Sequence, residues 1–491
     1  MSIWTRFLLF STGAAVVMAV AGCGAVPSVQ PSPVGPSPTD PLPITEPNEW
    51  TWVSGSNVAG QAGVYGTLGV KAAANVPGAR ESGVTWTDAA GNLWLFGGRS
   101  AQVGGSCGQF DPLCTAGTNS WFNDLWKFDG TGWTWVSGSN STDQPGVYGT
   151  KGVAAASNVP GSRYGAVSWS DTAGTMWLFG GSGYDSAGNV GLLNDIWKFS
   201  GGEWTWVGGS NTANPLGSFG TLGVAAPGNA PGGRSNAVGV ADAAGNLWLF
   251  GGVGCDTTFC GGALSDLWKY SGGEWTWETG QSSVNPTLPG VYGTEGIAAQ
   301  GNTPGGRYST GGWIDPAGSV WVFGGAGWGD STENLADLND LWKYSGGEWA
   351  WVDGMNQTYP NVDLLGTYGT EGTASPSNIP GSRDSGMSWS DAKGNLWFFG
   401  GEGFGMSGCC SYNDLWKYSG GQWTWVSGSG VGDQTGMYGT IGVPAAANIP
   451  GARANGVTWT DAQGDLWLFG GVGVDSTGSG GFLNDLWEYQ P

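Results

Sequence analysis

Apolar runs of three or four residues, most of them stopped by glycine, recur along the chain, and almost nothing keeps the 3.6-residue period of a helix. Trp177-Leu178-Phe179 runs straight into Gly180-Gly181, so a strand that short and wholly apolar is predicted to be buried on both faces. Trp204-Thr205-Trp206 alternates instead, which places both indoles on one side of a strand. Ser170-Asp171-Thr172-Ala173-Gly174 and Ser200-Gly201-Gly202 are polar turns with glycine free to take positive φ. Together with the stretches 163–169 and 194–199, these signals predict a four-stranded antiparallel meander.

That unit is repeated along the chain. The Trp-x-Trp pair of its fourth strand stands at 50/52, 133/135, 204/206, 275/277, 349/351 and 423/425. Repeats on this scale bury their apolar faces only against neighbours. The chain enters on a lone fourth strand, Glu49-Trp50-Thr51-Trp52-Val53, and its last unit has three strands, ending at Leu486-Trp487-Glu488-Tyr489. The two fragments complement each other. The expected fold is all-β, a six-bladed β-propeller of four-stranded blades closed by the N-terminal strand, which leaves no raw sheet edge.

The residues resemble kelch repeats. The double glycines 97/98, 180/181, 251/252, 324/325, 400/401 and 470/471 carry that likeness, with the Asn-Asp-Leu-Trp third strand, the Arg opening strand one and the Trp of strand four. It covers about nine-tenths of the chain. It implies a propeller similar to the central domain of galactose oxidase. One departure matters: kelch units run about 50 residues, whereas these span 71 to 83.

The added length sits mainly in the links from strand four to the next strand one. From Trp52 to Arg80 there are 28 residues, and the later links run 28 to 32. Each carries a version of Val-Tyr-Gly-Thr-x-Gly, so they read as ordered collars anchored by tyrosines 65, 148, 292, 368 and 438, with Phe219 in the third. The loop between strands two and three is 24 residues in the first unit and 11 to 13 in the others. Both kinds of connection emerge on one face of the ring, the face expected to carry function.

Composition narrows the chemistry. Of 32 Trp, 29 occupy repeat positions, so they read as packing between blades. Net charge is −22, which disfavours nucleic acid as a partner. Arg80, Arg163, Arg234, Arg307, Arg383 and Arg453 share one repeat position and are expected to pair with the Asp of Asn-Asp-Leu-Trp. There is no histidine, which excludes His-based triads and argues against copper chemistry of the galactose oxidase kind.

Residues 1–22 read as a lipoprotein signal, with Arg6 ahead of an apolar run and Val20-Ala21-Gly22-Cys23 resembling a lipobox whose Cys23 is lipidated. Residues 23–48 read as a Pro/Ser-rich tether and 49–491 as the propeller. The chain is therefore expected to be exported and lipid-anchored in the bacterial cell envelope, outer membrane or surface. The remaining cysteines fall two to a loop: Cys107 and Cys114, Cys255 and Cys260, Cys409 and Cys410. Disulfides are expected in the first two loops. Cys409 and Cys410 are left open between a strained bond and two thiols.

The functional expectation is a non-enzymatic, monomeric interaction propeller that binds a protein or glycan. Its candidate contacts are Phe110, Trp121, Tyr184, Asp185, Trp328, Asp330, Glu402, Phe404 and Asp475. No cofactor is expected beyond weakly held Ca²⁺, and no metal-ligand set stands out. The alternatives are an extracellular carbohydrate-active enzyme using loop carboxylates, or a purely structural envelope protein.

Overall fold

The N-terminal strand, Trp50–Ser54, lies antiparallel beside the C-terminal strand, Gly480–Tyr489, with Trp52 opposite Trp487 and Trp50 opposite Tyr489. The chain thus closes on itself. This computed structural model describes residues 48–101, 119–283, 288–330, 335–356, 365–391, 393–405 and 408–491. Among them there is no helix, and the strands form six antiparallel blades. Blade 2 shows the pattern: Arg163–Tyr164 and Val167–Ser170 innermost, then Met176–Tyr184, Val190–Ser200 and Glu203–Gly208.

Closure is also written in the backbone around the channel. Two residues beyond each ring arginine, Ser82, Gly165, Asn236, Ser309, Ser385 and Asn455 all take left-handed φ, between 52° and 60°. Each donates its N–H to a neighbour's carbonyl at 2.8 or 2.9 Å: Gly165 to Ser82, Asn236 to Gly165, Ser309 to Asn236, Ser385 to Ser309, Asn455 to Ser385, and Ser82 back to Asn455. Five of the six lack the freedom of glycine and carry a conformation that costs about 1–2 kcal/mol per residue, so the closed hydrogen-bond circuit holds them there.

The double glycines serve the same ring. Gly180 and Gly181 have φ of 65° and 97° at a bulge in the second strand. A Cβ on Gly180 would stand 2.8 Å from the Leu193 carbonyl oxygen and 3.1 Å from that of Arg234 in blade 3. The second glycine of the pair reaches across blades: Gly98 N–H donates to Arg163, Gly252 to Arg307 and Gly471 to Arg80.

The core lies between blades. Trp133 meets Phe469 edge-on at 5.6 Å and Trp204 meets Phe96 at 5.3 Å. Each of the twelve or so largest buried side chains is a strand Trp, apart from Arg80. The described parts of the collars dock on the blades: Tyr148 packs on Trp197 and Trp206 with ring centres 4.8 and 5.2 Å apart. Its hydroxyl donates to Asp195 at 2.6 Å.

Candidate active site at the collar-face mouth

Each ring arginine turns into its blade. Arg163 donates from Nη1 and Nη2 to the two oxygens of Asp195 at 2.7 and 2.8 Å, from Nη1 to the Gly180 carbonyl and from Nε to the Gly161 carbonyl. Asp195 also accepts from the Trp197 indole and the Tyr148 hydroxyl. The same pairing of Arg with Asp recurs in all six blades, with N–O distances of 2.6 to 2.8 Å and both side chains sealed from solvent. These guanidiniums are held by the scaffold, although in blade 5 Nη2 of Arg383 is buried without a hydrogen-bond partner among the described residues. In blade 3, where Phe219 replaces the tyrosine, Asp266 accepts from Arg234 and Trp268.

Strand alternation sends the next side chain the other way, toward the channel mouth. That column reads Glu81, Tyr164, Ser235, Tyr308, Asp384, Ala454. Beside it, one strand out, stand Arg99, Ser182, Val253, Ala326, Glu402 and Val472. Asp384 and Glu402 are direct ladder partners, which sets their Cβ atoms about 4.5–5.5 Å apart on one face. Burial first, and then Asp384 and Glu81, push the Glu402 carboxyl up to about 8, against the pull of Arg99. Asp384 is raised likewise, by burial first and then by Asp337 of blade 4. One Asp384 oxygen, Oδ1, is enclosed and accepts no hydrogen bond from the described residues.

The other side of the mouth is aromatic. Arg99 bridges to Glu81, which is 2 % exposed, and its guanidinium lies 4.6 Å from the centre of the Tyr164 ring. Trp121 stands edge-on to Tyr164 and to Tyr184, at 5.2 and 5.3 Å. Its indole N–H is buried without a partner among the described residues. Below, small residues and hydroxyls narrow the channel: Ser168 donates to the Thr85 carbonyl, and Thr85 to that of Thr458.

The structure therefore brings Trp121, Tyr184 and Glu402 of the sequence candidates to one mouth and places Asp185, Trp328, Asp330 and Asp475 elsewhere. Asp185 is 1 % exposed, and its carboxylate accepts from the backbone of Ala187, Asn189 and Ala213. Burial alone would raise it, but those donors hold it below the usual carboxylate range. Asp475 serves blade 6 in the same way, accepting from Thr477, Ser479 and Ala59. Trp328 is buried against Ala263 and Leu288, and Asp330 is exposed. Cys23, Cys107, Phe110 and Cys114 lie outside the described residues, as do the side chains of Phe404 and Cys409. Cys255 and Cys260 form a disulfide, and Cys410 is buried and not disulfide-bonded. Glu81, Arg99, Tyr164, Asp337 and Asp384 were not among the candidates; for Glu81, Tyr164 and Asp384 the signal is variation in the column next to the repeated arginine.

No family model and no curated protein matches the chain. Among the solved structures similar to it is a novel fungal alcohol oxidase with catalytic diversity among the AA5 family, in complex with copper. It is 12% identical, covers 87% of this chain and 76% of its own, and superposes with a TM-score of 0.40. The expectations of a non-enzymatic binder and of no cofactor are corrected on this finding, since that protein is an enzyme and holds copper. The likeness itself assigns no chemistry to this chain. The mouth offers carboxylate and phenol oxygens and the chain has no imidazole, a donor set that does not fit copper.

Proposed function

We propose that this propeller is a carbohydrate-active enzyme working at the collar-face mouth, with Asp384 and Glu402 as its acid–base pair. The observation that carries this reading is the pair itself: two carboxyls face each other in one ladder, both raised, within reach of the Arg99–Glu81 bridge. A carboxyl that keeps its proton near neutral pH donates it to the leaving glycosidic oxygen as the C–O bond breaks. An ionised partner takes a proton from the water that attacks the anomeric carbon. Crowding two acids together separates those roles, because ionising one raises the other. Trp121, Tyr164 and Tyr184 supply flat apolar faces for a sugar ring, and the unpaired Trp121 N–H supports a sugar hydroxyl as its acceptor.

Sequence features support the setting. The double glycines and Asn-Asp-Leu-Trp strands favour kelch-like repeats, and the leader 1–22 ahead of Cys23 favours export and a lipid anchor. On this reading the partner is a glycan, met by a monomer held off the envelope on its tether.

The test is turnover of polysaccharides and oligosaccharides by the purified chain, followed by reducing-end release. Asp384→Asn and Glu402→Gln should each lower turnover about 10²–10⁴-fold with an unchanged circular dichroism spectrum. Turnover that survives both substitutions rejects the assignment.

A further inference from the structure

Blade 6 breaks a pattern that the other five blades keep. In blades 1 to 5 the third strand carries Lys127, Lys198, Lys269, Lys343 or Lys417, whose ammonium lies over the indole of the second strand. In blades 3 and 4 that ammonium also comes within 3.9 and 3.2 Å of the hairpin carboxylates Asp242 and Asp315. Blade 6 has Glu488 at this place, opposite Trp467. Four residues after the hairpin aspartate, where the other blades have Asn, Thr or Ser, it has Asp465. Carboxylate oxygens of Asp461, Asp465 and Glu488 consequently lie within 4.8 Å of one another, with Asp465 and Glu488 each 8 % exposed. Three acids occupy the place where five blades balance an acid with a cation.

A second observation points to what belongs there. Thr51, on the N-terminal strand, is the ladder partner of Glu488, so the two side chains leave the same face of the sheet. Thr51 is 1 % exposed, and its hydroxyl has no hydrogen-bond partner among the described residues. A buried hydroxyl whose ladder partner is a carboxylate would ordinarily donate to it; left over, it is a spare oxygen ligand on the side of Glu488.

We propose that Asp461, Asp465, Glu488 and the Thr51 hydroxyl hold a hard divalent cation that ties the N-terminal strand to the closing blade. The donors are all oxygen, which suits calcium-type ions and not zinc or copper. The cation takes the place of the missing ammonium and returns the local charge toward neutrality. It also spans the joint where the two ends of the chain meet, so it acts on ring closure.

The test uses the full chain after chelation. Added Ca²⁺ should raise its Tm by about 2–5 °C at saturation. Tb³⁺ should bind at one site, luminesce on Trp excitation because the Trp467 indole donates to Asp461, and be displaced by Ca²⁺. Glu488→Lys restores the residue of the other five blades and should abolish both effects. Should that variant fail to fold, Asp465→Asn, which copies blades 1, 3 and 5, carries the test and should weaken Tb³⁺ binding at least tenfold. A wild-type chain indifferent to both ions, or a folded variant that responds like wild type, overturns the proposal.

Discussion

One residue separates the most uniform column of this ring from its most varied. Arg80, Arg163, Arg234, Arg307, Arg383 and Arg453 all turn into their blades and meet the same aspartate. The residues directly after them face the channel mouth and read Glu, Tyr, Ser, Tyr, Asp, Ala. A position whose neighbours are the blade itself has the same environment six times and is filled the same way six times. A position whose neighbours are the other blades across the mouth answers to whatever the mouth holds. Uniformity marks scaffold here, and departure from it marks chemistry.

The largest effect that separates the columns is stability. Arg163→Leu leaves Asp195 buried with only the Tyr148 and Trp197 donors. Loss of one partner of a buried pair costs about 3–5 kcal/mol, read as a fall in the urea midpoint. Glu402→Gln, in the other column, should raise that midpoint at pH 7, because it removes a carboxyl that burial keeps protonated in the fold but that ionises in the unfolded chain, and it takes away no stabilising partner. Equal losses would dissolve the distinction.

Next in size is the pH response. Glu402 titrates near 8 folded and near 4.5 unfolded, so the folded state binds its proton more tightly. The stability that this proton confers is complete below about 4.5 and drains as the pH rises through about 8. Asp384 adds a slope of the same sign. The Asp384→Asn, Glu402→Gln double variant should therefore lose less Tm than wild type between pH 5 and pH 9. Parallel curves would mean that the two acids titrate normally.

Much of the fold was legible because it is written six times. The spacing of Trp-x-Trp, the double glycines and the complementary ends, Trp50 and Trp487, lead to the closed six-bladed ring that the ladder between the two ends displays. The site was legible only in part. Reading loop acids as candidates overlooks that Asp185-Ser-Ala-Gly188 and Asp475-Ser-Thr-Gly478 are turns in which the carboxylate caps its own backbone. The acids that do converge, Glu81 and Asp384, sit one place after a conspicuous arginine, and only strand alternation shows that they face elsewhere. The circuit of left-handed residues from Ser82 to Asn455 had no sequence signal, since Ser, Asn and Gly share it.

The smallest effect tests uniformity from inside the scaffold column, where blade 3 is the natural exception. Phe219 packs on Trp268 and Trp277 at 4.7 and 5.1 Å, almost the spacing of Tyr148 on its own pair. The ring is thus placed alike, and only the hydroxyl differs. Tyr148→Phe should cost about 1 kcal/mol, the worth of a hydrogen bond to an aspartate that keeps its three other donors. Phe219→Tyr should return a similar amount by giving Asp266 the donor that five blades already have. If it destabilises instead, the carboxylate in blade 3 is already satisfied by Arg234 and Trp268 alone, and the tyrosine hydroxyls elsewhere orient the collars without stabilising the knot.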